Sequence, residues 1–157
     1  MAQGDSMKSI RGDLIKLACE GKFDVIIHGC NCYCAMGKGI AKTIRDKLPE
    51  AYEADRQTTK GDASKLGTYS SAQLTRNEHT FTVVNGYTQV HWKGSGSKID
   101  YSAMQKIFEN VAIEFKGKRI GYPQIGAGLG GGDWNRISQI IDDALAGEDH
   151  TLVLFGR

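Results

Sequence analysis

Two glycine-rich segments constrain this chain more than any other feature, because each lies between an apolar strand-like run and an amphipathic helical pattern. The first, His28-Gly29-Cys30-Asn31-Cys32-Tyr33-Cys34-Ala35-Met36-Gly37-Lys38-Gly39-Ile40-Ala41, follows Val25-Ile26-Ile27 and leads into a helical face of Ile40, Ile44 and Leu48. The second, Gln124-Ile125-Gly126-Ala127-Gly128-Leu129-Gly130-Gly131-Gly132-Asp133-Trp134, follows Arg119 to Pro123 and leads into Ile137, Ile140 and Ile141. Strand, loop, helix order presents unpaired backbone N–H groups at the positive end of a helix dipole. Glycine lets such a backbone approach an anion closely and adopt positive φ, so that several N–H groups converge. The plainer alternative is a pair of tight turns with no ligand. Two such loops suit a ligand with two phosphates, one held by each wall.

Neither segment fits the familiar phosphate motifs. A G-x-x-x-x-G-K-[ST] sequence is absent, and Gly126 to Gly131, although it satisfies G-x-G-x-x-G, lies too near the C-terminus for a following βαβ unit. Glycine supplies 20 of the 157 residues, against a usual share of about 7%. With 2 prolines and no short repeat, these glycines serve backbone geometry rather than a fibrous period.

The remaining pattern alternates between strand and helix. The first helix runs from Gly37 to Leu48 and stops at Pro49. Gly67 to Leu74 and Thr80 to Val84 read as strands around a polar turn, Arg76-Asn77-Glu78-His79. Val90 to Ile99 is a loop. Met104, Ile107, Phe108, Val111, Ala112 and Phe115 mark a helix capped by Asp100 or Ser102. Arg119 to Pro123 is a short strand, a last helix runs from near Asp133 to Gly147, and Thr151 to Phe155 is the closing strand. This order predicts an α/β fold: a three-layer α/β/α sandwich with a central mixed sheet, in one domain spanning residues 7–157. Met1 to Ser6 are read as a short tail, native or left from cloning. Ligands of this class bind at the carboxyl ends of the strands.

Composition excludes several functions. Twenty basic and 18 acidic residues leave a net charge of +2, too little for non-specific grip on nucleic acid or a membrane surface. No apolar run approaches the ~20 residues of a membrane span, and the N-terminus has no signal-peptide pattern. A soluble cytoplasmic monomer is expected. The cysteines Cys19, Cys30, Cys32 and Cys34 do not form a disulfide framework. Structural zinc sites combine two C-x₂₋₄-C pairs, and no second pair exists, so neither metal nor cofactor is expected. No C-x₅-R arrangement supports a cysteine nucleophile.

On these residues the chain resembles a macrodomain, the α/β/α module that binds ADP-ribose. The resemblance runs from Met7 onward and rests on Gly12-Asp13-Leu14, on Asn31 with Met36-Gly37-Lys38-Gly39-Ile40-Ala41, and on Gly126-Ala127-Gly128-Leu129-Gly130-Gly131. Ile27-His28-Gly29-Cys30-Asn31-Cys32 is similar to the yeast-type branch, which removes phosphate from ADP-ribose 1″-phosphate. The resemblance implies that Asp13 accepts from the adenine amino group, with Leu14 beside it and Phe155 against the ring. Asn31 would contact the distal ribose. Met36, Gly37, Lys38, Gly39 and Ile40 would line one side of the pyrophosphate, and Gln124, Gly126, Ala127, Gly128, Leu129 and Gly130 the other. A related branch cleaves ADP-ribose from protein carboxylates with a lysine and an aspartate. The corresponding places here hold Asn85-Gly86-Tyr87 and Gly130, which disfavours that route.

Three catalytic candidates follow. His28 could give a proton to the departing ribose oxygen or activate water; otherwise it is a core histidine satisfied beneath the sheet. Asp133 could orient water, or cap the last helix. Asn31 can donate and accept, which suits a diol or phosphate, or it stabilises a loop turn. Lys93 and Lys98 are read as a solvated loop, with a flap over the ligand as the alternative. The expected activity is hydrolysis of ADP-ribose 1″-phosphate. Release of ADP-ribose from macromolecules and binding without catalysis are the rivals.

Overall fold

A computed structural model describes residues 7–91, 98–128 and 130–156. Strand β1 (Lys8–Gly12) is followed by α1 (Leu14–Cys19), β2 (Val25–Asn31), α2 (Gly39–Lys47) and α3 (Pro49–Arg56). Then come β3 (Tyr69–Arg76), β4 (His79–Gln89), α4 (Tyr101–Glu114), β5 (Ile120–Tyr122), α5 (Trp134–Ala144) and β6 (His150–Phe155). The strands form one sheet in the order β1-β6-β5-β2-β4-β3. Every neighbouring pair is parallel except β3 with β4. The carboxyl ends of β1, β6, β5, β2 and β4 therefore share one edge.

Side-chain alternation along the central strands builds a core on each face. Val25, Ile27 and Val84 pack with Met104, Ile107, Phe108 and Val111 of α4 and with Ile137 and Ile141 of α5. Ile26, Phe81 and Val83 pack with Leu14, Ile15 and Ala18 of α1, Ile44 of α2 and Ala51 of α3. This is the three-layer sandwich with a mixed sheet.

The sequence reading differs from the structure at several elements. β2 runs on past Ile27 to Asn31, because its pairing with β4 carries through His28, Gly29 and Cys30. β4 likewise runs past Val84 to Gln89 and is buried on both faces there. Pro49 does not only end a helix: it opens α3 in the first turn, where its missing N–H costs nothing. β1 is an edge strand with an exposed pattern, so it carries no apolar signal. The turn between β3 and β4 has Asn77 and Glu78 at φ of 50° and 70°, the twist that a two-residue hairpin needs. Among the described residues, no helix is long and apolar enough to cross a membrane.

Candidate functional site

A cavity of about 660 Å³ opens at the carboxyl ends of β2, β4 and β5, within the range of ~300–1,000 Å³ usual for small-molecule sites. One wall is Asn31, Ala35, Gly37, Lys38, Gly39, Ile40 and Ala41; the facing wall is Gln124, Ile125, Gly126, Gly128 and Gly130. Gly29, Cys30, Thr88, Gln89, Lys98 and Pro123 complete the lining.

The first wall ends in the start of α2. Helices α1, α4 and α5 each begin with an aspartate whose carboxylate accepts from a first-turn N–H. Helix α2 instead has Lys38 at its N-cap and makes no side-chain cap bond. Its first turn, Gly39 to Ala41, lines the cavity, where an anion can take the acceptor role. On the second wall, Gly126 has a φ of 78°, and a Cβ there would lie 2.9 Å from Ile99 Cδ1. Gly132 N–H donates to Gly126 O at 2.7 Å and Gly131 N–H to Gly128 O at 3.1 Å, which folds the loop back on itself. Lys98 N–H donates to Gly130 O and Asp100 N–H to Thr88 O. Residues 98–100 therefore tie the second loop to the end of β4. Among the described lining residues, the charged side chains are Lys38 and Lys98, and no carboxylate or imidazole faces the cavity.

Two amide-lined glycine loops facing each other over a mixed α/β/α sheet find their match in the Macro domain family model, which covers residues 27–141. The chain belongs to the Macro domain family. An uncharacterized 17.5 kDa protein of Enterobacteria phage T4 is 38% identical over 87% of the chain and 88% of its own length. A DNA ADP-ribosyl glycohydrolase of Mycobacterium tuberculosis is 29% identical over 85% of the chain, which spans only 37% of that enzyme. An ADP-ribose 1″-phosphate phosphatase of Ajellomyces capsulatus is 39% identical over 44% of the chain and 26% of its own length. Among solved structures, the macrodomain of Mycobacterium tuberculosis DarG shares the fold, with a TM-score of 0.75 at 21% identity over 96% of this chain and 98% of that one.

In this macrodomain the cavity brings together Asn31, Gly37, Lys38, Gly39, Ile40, Gln124, Gly126, Gly128 and Gly130. Asn31 is nearly buried, and its amide is already at work in the loop: Nδ2 donates to Ala35 O at 2.9 Å, and Oδ1 accepts from Tyr33 N–H at 2.8 Å. One amide N–H remains for a ligand. Met36 and Leu14 lie in the core below and do not line the cavity. Ala127 does not line it, and Leu129 lies outside the described residues, as do Trp92 and Lys93. Asp13 caps α1 through Ile15 and Lys16 N–H. Gly12 pairs with Phe155 across β1 and β6, so Asp13 and the 85% exposed Phe155 ring share the same sheet edge, beyond the cavity.

Two of the three catalytic candidates lie outside the lining. Asp133 is exposed and caps α5, accepting from Asn135 N–H at 3.0 Å. His28 is fully buried inside β2, and its Nε2 lies 2.6 Å from Asn85 Oδ1. Its partner is the side-chain amide of Asn85, the satisfied core arrangement that was the alternative to catalysis. Burial holds the imidazole neutral and pushes its pKa down to about 4, against a smaller upward pull from the Asn85 bond. The reason for this placement is that β2 continues past His28, so the ring lies within the sheet against Asn85 rather than in the cavity lining. Asn85, Gly86 and Tyr87 are buried in β4 and do not line the cavity either.

The sequence reading missed Cys30, Thr88 and Gln89 as lining residues, and of its two readings of Lys98, a solvated loop or a flap over the ligand, the place in the lining agrees with the second. The signal was available only in part: Thr88 and Gln89 continue the strand alternation that was cut at Val84. Burial pushes the Cys30 thiol pKa well up, so it stays protonated. Among the described residues, no group of three or more His, Cys, Asp or Glu side chains is placed to hold a metal ion.

Proposed function

We propose that this macrodomain binds ADP-ribose between its two glycine loops and hydrolyses the terminal phosphate of ADP-ribose 1″-phosphate. The observation that carries this reading is the cavity's chemistry. The uncapped start of α2 faces a folded-back glycine loop, and the charged side chains described in the lining are two lysines. Such a lining favours a ligand with several negative charges and penalises one with cations. The pyrophosphate spans the two walls. Adenine extends toward Asp13 and Phe155 on the shared sheet edge, and the distal ribose toward Asn31 and Gln89, which are cross-strand neighbours.

Phosphoryl transfer needs little covalent help from a protein when the group is held and its charge is met by fixed donors. Backbone N–H groups, the remaining Asn31 N–H and the Lys38 and Lys98 ammonium groups supply those donors here. With His28 in the core and Asp133 capping a helix, the attacking water is oriented by the substrate and the loops.

A second reading is release of ADP-ribose from a macromolecule. Its support is the length of the likeness: the glycohydrolase aligns over 85% of the chain, the phosphatase over 44%. A substrate panel separates the two. The purified chain is incubated with ADP-ribose 1″-phosphate, ADP-ribosylated protein and ADP-ribosylated DNA, and phosphate and free ADP-ribose are measured. Phosphate from the first substrate alone is the expected result. Free ADP-ribose from a conjugate, without phosphate release, establishes the second reading. Calorimetric binding of ADP-ribose with neither product makes the chain a reader.

A further inference from the structure

Below the cavity floor, a chain of hydrogen bonds crosses from β2 to α3, and its direction can be worked out link by link. Asn85 Nδ2 donates to the backbone carbonyl of Ala51 at 2.9 Å, which fixes the amide orientation. Its Oδ1 therefore faces His28, and the 2.6 Å contact requires the hydrogen to be on His28 Nε2. Nδ1 is left as the acceptor. The Cys30 thiol lies 3.8 Å from Nδ1 and 3.7 Å from Nε2, so it packs against the ring between the two nitrogens rather than along the Nδ1 lone pair.

The chain continues beyond the amide. Asn85 Nδ2 also donates to Ser70 Oγ at 3.0 Å, Ser70 lies 2.8 Å from the Tyr87 hydroxyl, and Tyr87 donates to Asp55 Oδ1 at 2.7 Å. Since the Tyr87 hydrogen is spent on Asp55, Ser70 donates to Tyr87. The links thus run one way, from His28, against which the cavity-lining Cys30 packs, to the fully buried Asp55 carboxylate. An amide in the middle cannot hand a proton along as an imidazole or carboxyl can. Such an array holds position and does not conduct.

We infer that His28 is a positioning residue: a neutral Nε2–H imidazole, locked by Asn85, that fixes the end of β2 carrying Cys30 and Asn31 and exchanges no proton with the ligand. The tautomer follows from the geometry alone. The effect on catalysis rests on the proposal that ADP-ribose occupies the cavity.

The test has a spectroscopic and a functional arm. Long-range ¹⁵N–¹H correlation on the native chain reads the imidazole directly. The expected result is an Nε2–H neutral ring from about pH 7 to about pH 5, below the unperturbed histidine value of ~6.5. An Nδ1–H ring, or an imidazolium at about pH 6, overturns the inference whatever the substrate is. In the functional arm, His28→Gln keeps an N–H donor toward Asn85, whereas His28→Leu and Asn85→Leu remove the link. His28→Gln should retain ADP-ribose affinity and turnover within about threefold, while both leucine variants lose about tenfold or more in affinity and the double variant loses no more than either, as coupled partners do. If His28→Gln binds ADP-ribose normally but loses more than about a hundredfold in turnover, His28 transfers a proton and the inference is wrong. A native chain that does not bind ADP-ribose would sink the functional reading and leave the spectroscopic result to decide this one.

Discussion

Acid should unfold this protein partly through one ring. His28 is fully buried, and its pKa falls from 6.5 to about 4 in the folded state. The unfolded chain therefore takes up a proton at this site as pH drops below 6.5, while the folded chain resists until pH nears 4. Stability falls with pH over that window and levels off below it. Each pH unit in the window corresponds to about 1.4 kcal/mol, so the loss reaches about 2.5 kcal/mol at about pH 4.5 and about 3 kcal/mol at its limit. That is a large part of an ordinary domain stability of ~5–15 kcal/mol.

Other groups titrate nearby and must be separated. Burial lowers His150 as well, which adds to the loss, whereas burial raises the carboxyls of Asp55 and Asp142, which works the other way. Urea unfolding of the native chain and of His28→Gln at about pH 7, 5.5 and 4.5 isolates the term, because the remaining groups are common to both. The native chain should lose about 2.5 kcal/mol more than the variant by about pH 4.5, a midpoint shift on the order of 1 M urea. Parallel pH profiles would show that His28 is accessible to protons in the folded state, and the reasoning from burial would fail.

Three further outcomes follow from the site. Asn31→Ala removes both bonds that brace the first loop and should cost about 1–3 kcal/mol in urea unfolding, together with at least about tenfold in calorimetric ADP-ribose affinity. Lys98→Ala should weaken ADP-ribose 1″-phosphate more than ADP-ribose, by a further factor of about five, with the difference shrinking at high salt; equal losses would place Lys98 away from the terminal phosphate. Gly126→Ala forces a Cβ toward Ile99 at a φ of 78° and should lower stability by about 1–3 kcal/mol and abolish ligand binding, since the loop cannot keep its shape. Near-native behaviour in both assays would mean that the second loop adapts.

The parts of the fold legible in sequence were those written in local chemistry. Asp100 and Asp133 announced the starts of α4 and α5 because a capping carboxylate acts within three residues. Ile137 and Ile141 showed the buried face of α5 because helical periodicity needs no partner to be visible. The glycine loops and their facing walls were legible for the same reason. His28 was not. Whether β2 ends at Ile27 or Asn31 depends on pairing with β4, and the imidazole's environment is set by Asn85, 57 residues away. Lys98 entered the lining because its own N–H bonds Gly130 O of the second loop and the Asp100 N–H bonds Thr88 O of β4, which composition cannot reveal. α3 was hidden by Pro49, a residue that serves equally well after one helix and at the front of the next.

Helix α2 begins on a cation where α1, α4 and α5 begin on an acid. Whatever anion docks there takes over the work of a capping side chain, so recognition and helix stability become one event. Inorganic phosphate or sulfate should therefore raise the melting temperature and compete with nucleotide, and titrations in phosphate buffer will understate affinity. A thermal-shift screen run in a weakly coordinating buffer reports directly on that competition.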